Sequence, residues 1–320
     1  MNQSANEQLN KVIEGKDGWL FLGNDSNNSV DQYTGKLLLS KDCVSNYGAY
    51  FSNLNSHIKC DFSFFIVPNK EYVLSEFYPY FNSISKGLTI LEQVRGVASA
   101  NSVEINYPIE LLTSNPESFY KTDTHWNDFG AYLGLLSIFK YMDSFIFPKI
   151  DLESFGCVYV SGDLGEKLTP VKKDKRLVYN AETEAEVVFN SFLKNHGYLI
   201  HYKNRNAINK KKVLIFGDSF GIQFEKFLKV VFSEVIFVYS PAVFVKDIYD
   251  TVSPDFVILQ INQRFLVEPP KFRFTMKNSL IFKKIDKFSP DEFTLWKKIS
   301  RINVKNLKLQ NCFCLIWVRN

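Results

Sequence analysis

The sequence predicts an α/β fold built on a parallel sheet with helices on both faces. Three observations carry that expectation. Short, continuous apolar runs recur at Phe62–Val67, Val213–Phe216, Val235–Tyr239 and Phe256–Ile261, as strands buried on both faces require. Stretches with apolar residues three and four apart alternate with them, the pattern of crossover helices. The 320 residues are 46% apolar, 16% aromatic and 22% charged, which supplies a large core and excludes disordered and collagen-like chains.

Each element has its own local signal. Gly15–Leu22 (GKDGWLFL) is a Gly-flanked aromatic segment and predicts a short strand or hairpin near the domain edge. Residues 40–58 place Val44, Tyr47, Phe51, Leu54 and Ile58 on one helical stripe, with Ser40 as cap. Phe62–Val67 ends at Pro68, as a buried strand would. Gly87–Ala98 predicts a helix and Val103–Asn106 a strand. From Asn127, Phe129, Tyr132, Leu133 and Leu136 recur at helical spacing behind an Asn127 or Asp128 cap. Residues 150–205 are mixed and polar, and predict an irregular insertion. Val213–Phe216 then predicts a strand, Gly217–Ser219 a turn and Phe220–Val231 a helix. Val235–Tyr239 and Phe256–Ile261 complete the sheet.

Charge is uneven. The net charge is +4, but residues 271–320 alone carry 12 Lys/Arg against three acids, leaving the first 270 residues at −5. A basic tail fits an anionic polymer or a membrane surface, or is a solvated helical face. The five Cys (43, 60, 157, 312, 314) are odd in number and form no CxxC pair, which argues against a disulfide framework and a structural zinc site. Cys312-Phe313-Cys314 reads as core. His196 and His201 read as surface or packing residues, and no metal is expected. The N-terminus MNQSANEQLNK lacks a basic segment followed by an apolar one. The expected location is therefore cytoplasmic or peripheral to the inner membrane, or periplasmic if the natural start has been trimmed.

Two motifs carry chemistry. Ser219 follows a strand and precedes a helix, where its hydroxyl projects from the carboxyl edge of the sheet and helix-start N–H groups can stabilise an oxyanion. A serine hydroxyl needs a base within reach. Asp123-Thr124-His125 offers one: in an extended segment, residues two apart share a side, so Asp123 could orient the His125 ring. The alternative for Gly217-Asp218-Ser219 is a helix cap by Asp218 or Ser219.

Longer blocks resemble a known family. Tyr120–Asn127 (YKTDTHWN) with Gly130-Ala131 resembles the DxHW signature of the alginate O-acetyltransferases AlgJ and AlgX, and Gly217–Phe220 (GDSF) their nucleophile block. Gly15–Leu22, Val67–Lys70, Gly162–Leu164 and Pro254–Leu266 resemble further blocks, in family order. Gln263 stands where the family usually has Glu, so an ion pair with Arg264 is not implied. The resemblance implies a three-layer α/β/α SGNH hydrolase-like fold with a parallel sheet and a rearranged order of catalytic blocks. It implies Ser219 as nucleophile, His125 as base and Asp123 as orienter. Asn262, Gln263 and Arg264 are oxyanion or substrate candidates because they follow the last strand. Trp126 could line a sugar site or pack under the loop, Lys70 could reach the pocket or lie on the surface, and Tyr120 could bond near the site or pack.

The expected organisation is a catalytic domain over residues 1–270 and a basic extension over 271–320. The expected activity is transfer of an acetyl group, through an acetyl-Ser219 enzyme, to an anionic bacterial surface polysaccharide such as a capsule. The alternatives are a carbohydrate acetyl esterase with the same triad and a noncatalytic polysaccharide-binding protein. Acetyl-CoA is the expected donor, with no resident cofactor and no nucleic-acid partner. The basic tail is expected to bind the polymer, the membrane surface or a biosynthetic complex. Truncation after residue 270 should weaken polymer binding most at low salt, as titrations across ionic strength would show; equal affinity at every salt concentration would exclude that role.

Overall fold

The four apolar runs are strands in the computed structural model, which describes residues 11–140, 142–180, 182–275, 287, 289 and 290. The chain opens on a hairpin of β1 (Val12–Glu14) and β2 (Leu20–Leu22), with Ile13 opposite Phe21. Then come α1 (Ser29–Tyr33), α2 (Lys41–His57), β3 (Asp61–Val67), α3 (Lys70–Val73) and α4 (Ile90–Ala100). They are followed by β4 (Ile105–Asn106), α5 (Ile109–Thr113), α6 (Asp128–Phe139), β5 (Gly156–Ser161) and β6 (Lys173–Val178). The second half holds β7 (Glu186–Asn190), β8 (Leu199–Lys203), β9 (Asn209–Gly217), α7 (Phe224–Val231) and β10 (Phe232–Tyr239). It ends with β11 (Phe244–Val245), α8 (Lys246–Val252), β12 (Phe256–Asn262) and β13 (Phe272–Arg273).

Caps set the helix starts. Ser40 Oγ accepts from Cys43 N at 3.2 Å, and Thr89 and Glu92 form a reciprocal capping box that starts α4 at Ile90. Asn127 Oδ1 accepts from Phe129 N and Gly130 N at 3.0 and 3.2 Å, which fixes the first turn of α6. The helix expected from Phe220 opens as a 3-10 turn over Gly221–Gln223, and α7 starts only at Phe224.

A seven-stranded sheet runs in the order β4-β3-β12-β9-β10-β8-β7. β9 is paired in parallel with both β10 and β12, so Ile215 lies opposite Phe237 on one side and Ile258 on the other. Val213–Phe216 and Val257–Leu259 have no exposed surface, and strands covered on both faces take continuous apolar sequence. The other edge departs from the expected parallel order. β8 is antiparallel to β10 and β7 antiparallel to β8, because the short connection between β7 and β8 cannot make the crossover that parallel pairing needs. The stretch 150–205, expected to be irregular, is ordered: it holds the β5–β6 hairpin as well as β7 and β8.

The described chain divides into two compact units. The first comprises the residues up to Phe51, then Phe65–Asn180 and Ile261–Pro269; the second comprises Ser52–Phe64, Ala181–Gln260 and the residues from Pro270. Strands β3 and β12 therefore contribute to both. In the first unit, rings gather around Tyr33, whose centroid lies 4.9 Å from Tyr72 and 5.0 Å from Tyr78. In the second, β9, β10 and most of β12 form the core. Cys43, Cys60 and Cys157 are free thiols. Cys312, Cys314 and most of the basic tail lie outside the described residues. Among the described residues, no helix is long and apolar enough to cross a membrane.

Glu225 of α7 is buried, and its Oε2 accepts from the hydroxyls of Tyr198 and Tyr202 at 3.2 and 3.1 Å. Burial pushes its carboxyl up to about 7, against the opposing pull of those hydroxyls. A raised carboxyl favours the fold while protonated, so the contribution is full below about 4.5 and is lost as pH rises through 7. Glu225→Gln keeps an acceptor for both tyrosines. It should be nearly neutral at pH 5 and stabilising by roughly 2 kcal/mol at pH 8, as read by thermal melts at the two pH values.

Candidate functional site

Residues 119–126 form a loop closed at its base. Phe119 and Trp126 make an isolated antiparallel bridge, and Asn127 N donates to Ser118 O at 2.9 Å. Trp126 is fully buried, with its ring 6.2 Å from that of Phe65. Packing under the loop is thus its position, and a sugar cannot stack on it there. Tyr120 is also buried, with the Arg176 guanidinium 4.7 Å from its ring centroid.

At the tip of this loop the Asp123 carboxylate is saturated with donors. Its Oδ1 accepts from His125 N at 2.9 Å and lies 2.7 Å from His125 Nδ1, while Oδ2 accepts from Asp163 N at 3.1 Å. The pair is made in a turn and not in the extended segment the spacing suggested: the side chain of residue i bonds the N–H of residue i+2, and the ring follows that N–H back to the same oxygen. Burial alone would raise the Asp123 carboxyl. The hydrogen bonds from the His125 ring and backbone and from Asp163 N, together with the charge of His125, outweigh it and hold the group well below the usual carboxylate range.

Asp163 clamps the turn from the other side. Its carboxylate accepts from Thr124 N and Thr124 Oγ1, both at 2.7 Å. Gly162 and Leu164 dock on Thr122, with Gly162 N donating to Thr122 Oγ1 at 3.0 Å and Leu164 N to Thr122 O at 3.1 Å. Only glycine fits at 162, since a Cβ there would lie 2.4 Å from Thr122 O and 2.5 Å from Asp123 Cβ. Asp123, His125 and Asp163 bring one ligand-type atom each within 4.8 Å of one another. Their near atoms are engaged by N–H and O–H donors, which fits an oriented acid–base pair.

Lys70, considered for a pocket or surface role, is buried. Its Nζ donates to the main-chain carbonyls of Leu20, Tyr120, Lys121 and Asp123. Burial pulls its ammonium down to about 7, while Asp123, Asp163, Glu71 and Asp174 oppose that shift. Its neighbour Asn69 grips the residues after β12. Asn69 Oδ1 accepts from Arg264 N at 3.1 Å, and Asn69 N donates to Gln263 Oε1 at 3.1 Å. Asn262 is buried, its Oδ1 accepting from Arg264 N and its Nδ2 donating to Val67 O at 3.4 Å. Arg264 O accepts from Gln32 Nε2 at 2.9 Å. Asn262, Gln263 and the Arg264 backbone thus knit the ends of β3 and β12 together.

Ser219 belongs to the second unit, just beyond the end of β9. The turn that presents it is held by Asp218, whose Oδ1 accepts from Phe220 N at 2.9 Å and from Gln260 Nε2 at 2.8 Å. Gln260 Oε1 in turn accepts from Asp218 N at 2.8 Å. A Cβ at Gly221 would lie 2.5 Å from that Gln260 oxygen. The structure therefore assembles Asp123 with His125, and Lys70 with the backbone of their loop, in the first unit. It builds the Ser219 turn in the second.

Residues 12–242 match the family described as SGNH hydrolase-like domain, acetyltransferase AlgX. The chain belongs to this AlgX acetyltransferase family. No curated protein matches the chain. Among solved structures, Bacillus cereus PatB1 is similar at 16% identity and a TM-score of 0.60, over 82% of this chain and 99% of that one. A DHHW family protein from Eubacterium siraeum is similar at 14% identity and a TM-score of 0.55, over 80% and 95%. At such identities the likeness shows a shared fold. The SGNH-like α/β architecture expected from the motif blocks is the one this AlgX-family chain has.

Within the AlgX-family pattern, Gln263 stands in place of the usual Glu. Its Oε1 accepts from Tyr107 hydroxyl at 2.8 Å as well as from Asn69 N, and an amide oxygen serves those two neutral donors without a buried charge. The nearby carboxylate is Glu71, which takes Asn69 Nδ2 at 3.0 Å and feels the charge of Arg264. Two structural partners, Asp163 and Gln260, were given no role by sequence. Gln260 did leave a signal: a lone polar residue in an otherwise apolar buried strand is the informative exception. His201 is buried against Glu234 at 3.0 Å, and the His196 ring lies 5.4 Å from that of Tyr239.

Gln260→Leu would remove the acceptor of the buried Asp218 N–H and one of the donors to Asp218 Oδ1. It should cost about 3 kcal/mol, readable as a lowered denaturant midpoint with unchanged m-value.

Proposed function

We propose that this chain is an O-acetyltransferase that works through an acetyl-Ser219 enzyme and delivers the acetyl group to hydroxyls of an anionic bacterial surface polysaccharide. The observation that carries the reading is the Asp123–His125 pair, bonded at 2.7 Å through Nδ1 in a chain of the AlgX acetyltransferase family. With Nδ1 committed to a carboxylate, the imidazole is fixed in the tautomer whose Nε2 accepts a proton.

The steps follow from those roles. His125 Nε2 takes the Ser219 proton as the serine oxygen attacks the acetyl carbonyl of a thioester or ester donor. The tetrahedral intermediate collapses, the donor's thiol or alcohol leaves with the proton from His125, and acetyl-Ser219 remains. A sugar hydroxyl then loses its proton to His125, attacks the serine ester and departs as the acetylated sugar, while the proton returns to Ser219. Acetyl-CoA serves as donor if the protein works in the cytoplasm; a membrane partner delivers the acetyl group if it works in the periplasm. The basic residues of the tail favour an acidic polymer over a neutral one.

Intact-mass spectrometry after exposure to acetyl-CoA or p-nitrophenyl acetate should show the mass of one added acetyl group, absent in Ser219→Ala. Turnover should fall at least about 10³-fold in Ser219→Ala and His125→Ala. Incorporation of label into a deacetylated acidic polymer distinguishes transfer from hydrolysis, which would give free acetate alone. An unmodified wild-type protein together with an active Ser219→Ala variant would overturn the proposal.

A further inference from the structure

We infer that Lys70 is a positioning residue for the Asp123–His125 pair: its buried ammonium gathers the carbonyls of the loop that carries the pair. The significance of the pair rests on the acyl-transfer reading above; the clamp itself rests on geometry.

An ammonium has three N–H bonds and no acceptor. Lys70 Nζ lies 2.8 Å from Leu20 O, 2.5 Å from Tyr120 O, 3.0 Å from Lys121 O and 2.9 Å from Asp123 O. The rings of Trp19 and Phe21 wall it at 4.9 and 5.4 Å from their centroids, and the residue is only 4% exposed. Buried lysines ordinarily pair with a carboxylate. Here the contacts are main-chain oxygens, so the group acts on backbone position. Three of the four belong to the residues that lead into His125, and the fourth to the N-terminal hairpin. Lys121 O also accepts from Leu20 N of β2 at 2.8 Å, so the charge-assisted cluster reinforces the backbone contact that joins hairpin and loop there.

The charge acts as well. Asp123, Asp163, Glu71 and Asp174 are the acidic groups that act on Lys70. Lys121, whose Nζ lies 4.0 Å from Asp174 Oδ2, and Arg176, over the Tyr120 ring, add positive charge nearby. These acids favour the charged ammonium that holds the four carbonyls. Its removal takes the anchor from the loop, so the His125 ring loses its fixed place while the surrounding fold stays.

The test uses the full chain and p-nitrophenyl acetate. Lys70→Met should keep native far-UV circular dichroism while kcat falls roughly a hundredfold and KM changes by less than about threefold. Lys70→Arg, which keeps the charge and the donors, should restore part of kcat. Wild-type kcat in Lys70→Met, or a KM that rises in step with the loss of kcat, would overturn the inference. If Lys70→Met does not fold, Lys70→Gln takes its place with the same two outcomes. A readout independent of turnover is the His125 ring proton bonded to Asp123, followed by NMR and assigned with His125→Gln. That resonance should broaden or vanish without Lys70 while distant amide signals stay in place; an unchanged resonance counts against the clamp. Ser219→Ala is measured in parallel. If it still hydrolyses the ester, the acyl-serine reading fails, and the NMR result alone decides the role of Lys70.

Discussion

The Asp123 carboxylate is the constraint on which the geometry of the His125 loop depends. One of its oxygens takes both the backbone and the ring N–H of His125, and the other takes Asp163 N. A carboxylate with three donors stays ionised, and an ionised carboxylate at Nδ1 fixes both the tautomer and the plane of the imidazole. Were any of these donors supplied by water, the ring could rotate. Two of them are peptide N–H groups, so the orientation of the His125 ring is set by the backbone around the carboxylate it bonds.

That loop is irregular, and its order has to come from outside it. Asp163 provides it on one side, with a carboxylate on Thr124 and a peptide N–H on Asp123. The turn that bears Ser219 follows the same logic in the other unit, where Gln260 reads both the N–H and the carboxylate of Asp218. In each case one polar side chain, the half-buried Asp163 and the fully buried Gln260, satisfies a turn that cannot satisfy itself. Leaving such groups unpaired would cost far more than the net value of the bonds, so these partners are bound to their places more tightly than solvent-exposed residues of the same types.

What could be read from the sequence reflects how each element is buried. Val213–Phe216 and Phe256–Ile261 are covered on both faces, so their side chains are apolar without interruption and the runs stand out. Helix α6 could be read because Asn127 caps it and its apolar residues recur at helical spacing. Strands β5 and β6 could not: Val158, Tyr159, Lys173 and Lys175 are exposed, and a ribbon wet on both faces and edged with lysines looks like a loop. Nor could the buried state of Lys70 be read. Its partners are main-chain oxygens, which every residue carries and no side-chain pattern records. Asp163 lies forty positions from Asp123, a pairing set by the docking of 162–165 on Thr122 and not by any local spacing.

The substitution at 263 shows how motif and environment divide the work. A glutamate there would bring a negative charge to a position with little exposed surface, close to Glu71, whose own carboxyl burial already pushes up to about 7. Glutamine presents the same oxygen to Asn69 N and the Tyr107 hydroxyl without adding that charge. The position therefore keeps both donors bonded with an amide in place of a carboxylate. A departure from the family pattern at one residue is then no sign by itself of a decayed site, because the contact that joins the ends of β3 and β12 is made with the amide in place.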